Sequence, residues 1–315
     1  MSKPQRIAIL GGTGFVGRHL AARLESAGHA VTVLSRNRET KRDVAVLPAV
    51  ETVSCNVYDR DALARVLAGH DAVVNLVGIL NERGFDGRGF RRAHVELTEC
   101  VIEAARSAGV PRLVQMSALN AGRGESHYLR TRGEAEAVVA RSGLAWTIFR
   151  PSLIFGLEDG LFYRFAKLLR LMPVLPLARA SIRFAPVYVG DVAAAFVRAI
   201  EDPATIGRHY ELGGPRVMTL AEIVRYTRDL LGLRRAIVPL PDALGRLQAL
   251  AMDFVPGKPF SSDNYKSLAL DSVPQDDGFA ALHIEKTPVE TVMPYLIGGR
   301  DRQHRLDGFR RRRNA

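Results

Sequence analysis

At 315 residues the chain exceeds the usual span of one compact domain, about 100–200 residues, yet it suits a single α/β sheet with an appended region. An apolar fraction of 47% and a charged fraction of 24% are those of a globular chain, which excludes disorder, collagen and coiled coil as descriptions of the whole. A net charge of +11 directs attention to anionic partners (nucleic acid, acidic lipid or phosphorylated ligands) without choosing among them.

Cys55 and Cys100 are too few for a disulfide framework or a cysteine-rich zinc site, and they suit a reducing cytoplasm. No apolar run approaches the roughly 18 residues of a membrane-spanning helix. The apolar stretch Ile7 to Leu10 breaks at Gly11-Gly12, too soon for a signal-peptide core. A cytoplasmic location is expected.

In chain order, Arg6 to Leu10 reads as a short apolar strand ending in glycines. His19 to Leu24 begins an amphipathic helix, and Ala30 to Leu34 is a second strand rich in β-branched residues. Val50 to Val57, Ala72 to Val77 and Arg112 to Met116 supply further strands, with helical patterns at Asp61 to Ala68 and Ala93 to Ala108. Ala145 to Phe149 is a sixth strand. Apolar strands alternating with helices predict an α/β fold of Rossmann type, a doubly wound parallel sheet covered on both faces.

Beyond residue 156 the texture changes. Leu161 to Leu177 mixes apolar and basic residues with Pro173 and Pro176, Asp191 to Ile200 reads as a helix, and Tyr210 to Pro215 as strand then turn. Thr219-Leu-Ala-Glu222 is a capping-box sequence opening a helix. The expected organisation is a dinucleotide-binding domain over 1–156, a smaller substrate or partner region over 157–300 interleaved with it, and a basic tail over 301–315. The tail carries Arg310 to Arg313 in succession and is polar enough to be disordered.

The strongest chemical signal is Gly11-Gly12-Thr13-Gly14-Phe15-Val16-Gly17, placed after the first strand and opening the first helix. One glycine permits the turn, one lets backbone approach a diphosphate, and one allows close helix–strand packing. A tight turn without ligand is the bland alternative. At the end of the second strand, where an NAD site places a carboxylate, the sequence reads Ser35-Arg36-Asn37-Arg38. Arg36 can fork onto a 2′-phosphate, so NADP(H) is favoured over NAD(H); an ordinary solvated arginine is the alternative. Asn56 and Val57 at the third strand end, and Asn75, Val77 and Gly78 at the fourth, are expected to border the nucleotide.

The glycine loop, Ser117 after the fifth strand and Tyr128 beyond it resemble the extended or atypical short-chain dehydrogenase/reductases, related to NAD-dependent epimerases and dehydratases. More narrowly, Arg150 to Gly156, Phe184 to Asp191, Tyr210 to Pro215, Leu168 to Leu177 and Ser261 to Asn264 resemble one branch. It contains the NADPH-binding accessory subunit of mitochondrial respiratory complex I and its bacterial relatives. The resemblance extends to about Leu296. It implies that a tyrosine and a lysine four residues apart share one helix face, the lysine holding the nicotinamide ribose while the phenol exchanges a proton. Here Ser117 and Tyr128 match, but Arg132 stands at the lysine position. Arginine keeps the charge, yet its planar head is larger and does not give up a proton. Cofactor binding therefore survives on this pattern while turnover is placed in question.

Asp191 resembles an aspartate of the family and suits helix capping or support of the site. His94 and His127 carry no assigned role, and no metal-ligand spacing occurs. Arg164, Lys167 and Arg170 recur among apolar residues, so Phe162 to Pro173 could lie on an anionic membrane surface or pack its apolar side on the core. Three readings remain. One is an NADPH-dependent oxidoreductase or epimerase-type enzyme acting on a carbonyl, quinone-related or nucleotide-sugar small molecule. A second is a non-catalytic NADPH-binding subunit beside a respiratory-chain protein, peripheral on the inner face of the cytoplasmic membrane. The third is an NADP-responsive regulator. Nucleic-acid binding is weaker, because no helix-turn-helix or aromatic-interleaved basic motif appears.

Overall fold

The computed structural model describes residues 3–35, 49–157, 160–256, 258 and 260–298. Seven strands form its central sheet: β1 Arg6–Leu10, β2 Ala30–Ser35, β3 Val50–Ser54, β4 Ala72–Asn75, β5 Arg112–Met116, β6 Ala145–Pro151 and β7 Arg208–Leu212. They lie in the order β3-β2-β1-β4-β5-β6-β7, and each neighbouring pair is parallel. Ile7, Ala8, Ile9 and Leu10 are all inaccessible, which is why β1 reads as a continuous apolar run without alternation. The order reverses between β1 and β4, leaving a crevice at their carboxyl ends. This is a Rossmann-type α/β fold.

Two layers of helix cover the sheet. On one face, Leu20, Ala21 and Leu24 of α1 (Phe15–Ser26) pack with β-strand residues and with Val192, Ala193 and Phe196 of a later helix, Val189–Glu201. On the other, Leu63 and Leu67 of α2 (Arg60–Leu67) and Leu97 and Val101 of α3 (Leu97–Ser107) meet Ala8, Leu10 and Leu113. Helix α4, His127–Ala140, follows β5 and begins at Ser126, whose hydroxyl accepts the Leu129 N–H at 3.1 Å.

Several element ends differ from the sequence expectation, each for a local reason. The first helix opens at Phe15 rather than His19, since the chain turns at Gly11–Gly14 and is helical at once. The third strand stops at Ser54 rather than Val57. There the Asn56 side chain and carbonyl accept the N–H groups of Tyr58 and Asp59, turning the chain. The fourth ends at Asn75, not Val77, because the Asn75 side chain accepts the Val77 N–H at 3.1 Å. The helical pattern from Ala93 extends back to Arg88 through a π-helical turn, Arg92–Glu96.

A second core gathers Phe155, Phe162, Leu169, Ile223, Val224 and Met293. Helix α5, Phe162–Leu171, turns Phe162, Ala166 and Leu169 into it and leaves Arg164, Lys167 and Arg170 exposed. Core packing, rather than a membrane contact, therefore accounts for its apolar side. Val189–Glu201 is α6. Asp191 sits in its first turn but accepts the Thr287 N–H and hydroxyl at 2.7 and 2.9 Å, tying the later chain to α6 instead of capping it. The predicted capping box at Thr219 and Glu222 forms in full, opening α7, Leu220–Leu230. Helices α8, Asp242–Met252, and α9, Ser262–Ser267, come next. The basic tail from Asp301 lies outside the described residues.

Arg112 joins these layers. Its buried guanidinium donates to the carbonyls of Ala145 and Ala199 at 2.7 and 2.8 Å, and to the hydroxyls of Thr147 and Thr205 at 2.5 and 3.1 Å. Burial lowers its pKa to about 10, and the charge is held by oxygen dipoles of β6, α6 and the turn after α6. Arg112→Ala should leave those acceptors unsatisfied and cost about 3 kcal/mol, read as a lower urea midpoint at unchanged slope.

Candidate functional site

The glycine loop brings two turns into contact at the crevice. Gly11 has φ 78°, a left-handed conformation that glycine adopts without strain. A Cβ there would stand 3.2 Å from the Leu76 carbonyl carbon and the Val77 nitrogen, so the turn after β1 lies directly on the turn after β4. Gly14 N–H closes onto Gly11 O at 2.9 Å, and a Cβ at Gly17 would overlap the backbone of Gly12. Gly14 caps α1 with no side-chain hydrogen bond, leaving the amides of the first turn for an external acceptor. With the positive end of the helix dipole behind them, these amides fit a diphosphate. Thr13 is partly exposed in the loop, Val16 packs on the sheet core, and the Phe15 ring meets His19 edge-on at 5.8 Å.

The other nucleotide-side residues are distributed around that crevice. Ser35 ends β2 and its carbonyl accepts the Cys55 N–H at 3.0 Å, whereas Arg36 lies outside the described residues. Asn56 is exposed and Val57 partly buried against the core. Asn75 is buried, with its carboxamide nitrogen 3.1 Å from Gln115 Oε1, so its side chain shapes the turn from within. Gly78 is exposed beyond Val77.

Ser117, Tyr128 and Arg132 converge at the carboxyl ends of β4 and β5. Ser117 follows β5 with its N–H on Phe149 O at 2.7 Å, while its buried Oγ has no hydrogen-bond partner among the described residues. Arg132 reaches back from α4 to donate to Met116 O at 3.0 Å and Val77 O at 3.4 Å. Its guanidinium carbon lies 5.5 Å from the centroid of the Tyr128 ring, which places the two residues on one helix face as their spacing predicts. A Cβ at Gly78 would fall on the guanidinium. The absence of a side chain at 78 thus makes room for the larger head at 132.

Neighbours that the sequence did not single out hold this group. The Asp263 carboxylate of α9 accepts the N–H groups of His127 and Tyr128 at 2.6 and 3.1 Å, capping α4 from the distal part of the chain. Ser261 to Asn264 carried a family resemblance but no visible role. Buried His94, in the π turn, takes the Ile79 N–H on Nε2 at 3.3 Å and has Nδ1 2.9 Å from the Thr131 hydroxyl. That pairing assigns its proton to Nδ1 and couples the loop after β4 to α4. Its ring also packs edge-on against Tyr128 at 5.5 Å. Glu82 accepts the N–H groups of Gly87 and Gly89, each at 2.7 Å, and so folds the loop between β4 and the π turn.

Burial, reinforced by the Arg132 charge, pushes the His94 pKa from 6.5 down to about 2. As pH falls below 6.5 the unfolded chain therefore takes up a proton that the folded chain refuses. The contribution to stability is full above that pH and declines by about 1.4 kcal/mol per unit below it. Urea midpoints followed from about pH 7.5 to about pH 5 should fall more steeply for the parent chain than for His94→Gln.

Residues 11–203 match the NAD(P)H-binding family. The chain is 29% identical over 317 residues to NADH dehydrogenase (ubiquinone) 1 alpha subcomplex subunit 9, mitochondrial, of Arabidopsis thaliana, covering 92% of this chain and 78% of that protein. It is 31% identical over 246 residues to the ceramide reductase of Caulobacter vibrioides, covering 75% of this chain and 74% of that one. The solved structure of MoeE5 in complex with UDP-glucose and NAD superimposes with a TM-score of 0.74 at 17% identity, over 95% of this chain and 99% of that one. The last likeness is one of fold.

Proposed function

The chain belongs to the NAD(P)H-binding family, and on that premise we propose that it is an NADPH-dependent oxidoreductase acting on a carbonyl or quinone-related substrate. The observation that carries this reading is the uncommitted, buried Ser117 hydroxyl beside the strand end that Arg132, next to Tyr128 on α4, reaches with its guanidinium. Kinship with a protein named ceramide reductase supports a carbonyl substrate. The amides of Gly11 to Gly17 would hold the diphosphate, with Thr13, Phe15 and Val16 shaping the loop. Ser35 and Arg36 would take the adenosine ribose and its 2′-phosphate, Asn56 and Val57 the adenine edge. Asn75, Val77 and Gly78 would border the nicotinamide half.

When bound, NADPH supplies the reducing equivalents. Ser117 donates a hydrogen bond that orients the substrate oxygen, and the Tyr128 phenol delivers a proton to it. Arg132 would hold the nicotinamide ribose by hydrogen bonding, and it keeps its own proton. The proton lost by Tyr128 therefore returns from solvent by another route.

A second reading is favoured by Arg132 itself, which is anchored to two carbonyls at the position where active relatives are expected to carry lysine. Under it, the chain is an NADPH-holding subunit beside a respiratory-chain protein, peripheral on an anionic membrane face. Kinship with the Arabidopsis subunit across 92% of this chain supports that alternative.

Mass analysis of the nucleotide released from freshly purified protein should find NADP rather than NAD. Arg36→Asp should shift binding toward NAD by about tenfold or more. Tyr128→Phe should lower NADPH oxidation by at least about 10²-fold while thermal stabilisation by NADPH persists. Retained turnover in that variant overturns the role of Tyr128. Failure of any carbonyl or quinone substrate to consume NADPH that stays bound favours the subunit reading.

A further inference from the structure

Helix α8 inverts the usual arrangement of an amphipathic surface helix. Its small residues face inward: Ala249 is buried with Ala178 and Tyr265, and a Cβ at Gly245 would come within 3.0 Å of the Tyr265 ring. Its large apolar residues face outward, with Leu247 61% exposed and, just past the helix, Phe254 76% exposed. Ala243, Leu247, Leu250 and Phe254 recur at intervals of four, three and four, which aligns them along one side of a helix. The Phe254 ring then meets exposed Phe85 at 6.0 Å, carrying the apolar strip onto loop 79–87.

That loop is part of the candidate site's frame. It starts beside Gly78, against Arg132, and ends at Gly87, where a Cβ would strike the His127 ring. Side-chain amides bind it to the segment after α8: Asn264 donates to Leu80 O and Asn81 to Lys258 O, both at 2.9 Å. Lys258 Nζ donates to Gly84 O at 2.8 Å and lies 3.9 Å over the Phe85 ring. Exposed Arg83 and Lys266 belong to the same unit, as do exposed Asp86 and, at the start of α8, Asp242.

We propose that the outer face of α8, with Phe85 and Phe254, seats the chain on an anionic lipid bilayer and brings the loop framing Tyr128 to the membrane surface. This rests on the peripheral location proposed above and adds which face makes the contact. Apolar side chains enter the headgroup boundary while Arg83, Lys258 and Lys266 meet acidic headgroups. Helix α5, a basic amphipathic segment, already commits its apolar side to the second core.

The test is flotation of the full chain with vesicles of phosphatidylethanolamine and phosphatidylglycerol, compared with phosphatidylcholine alone. Binding should appear with the acidic vesicles and weaken with salt. The double variant Leu247→Glu with Phe254→Glu should lower the bound fraction by about tenfold, while removal of 299–315 leaves most of it. Unchanged thermal stabilisation by NADPH confirms that the double variant is folded. If the parent chain floats and the double variant floats equally, the face is wrong and the peripheral location stands. If the parent chain fails to float even at low salt, both fall. If the substitutions convert a dimer to a monomer without changing flotation, the face is a contact between copies and the proposal is overturned.

Discussion

Two backbone turns lie so close at the crevice that no side chain fits between them, and the candidate site is organised around that contact. Gly11 stands where a Cβ would press on Leu76 and Val77, and Gly17 where one would enter Gly12. Close packing sets the start of α1 against the ends of β1 and β4, which brings the amides of its first turn to the crevice. The parallel order of the sheet brings β5 alongside β4, and with it Ser117 to the same edge.

A second constraint is the satisfaction of a buried charge. Arg132 is 5% exposed and is held by the carbonyls of Met116 and Val77, at the ends of neighbouring strands. Its size is accommodated at Gly78, which carries no side chain. Arginine at this position is thus matched by its surroundings, and its charge stands beside the Tyr128 ring. Asp263, His94 and Glu82 then hold the three segments that frame this pair through hydrogen bonds to backbone N–H groups.

Basic side chains serve this fold in two different ways. Within the sheet layers Arg112 is internal and cements β5 to β6 and α6 through oxygen acceptors. On the distal segments the cations are external and accompany exposed apolar side chains, as at Lys258 over Phe85. One composition therefore serves internal cohesion at Arg112 and a contact with an exposed ring at Lys258.

Local chemistry was legible directly in the residues. Apolar runs foretold the parallel strands, three glycines at fixed spacing the tight turn, Thr219 and Glu222 a capping box, and Tyr128 with Arg132 one helix face. Strand ends expected at Val57 and Val77 fall at Ser54 and Asn75, because hydrogen bonds accepted by Asn56 and Asn75 turn the chain earlier than hydropathy suggests. The partnerships of His94 with Ile79, Asp263 with α4, and Asp191 with Thr287 join positions from 15 to 136 residues apart. The outward face of α8 was equally hidden, since its leucines follow a helical period whichever side they occupy. Periodicity states that a helix has an apolar side; only the packing of Gly245 and Ala249 against Tyr265 and Ala178 decides that the side faces solvent.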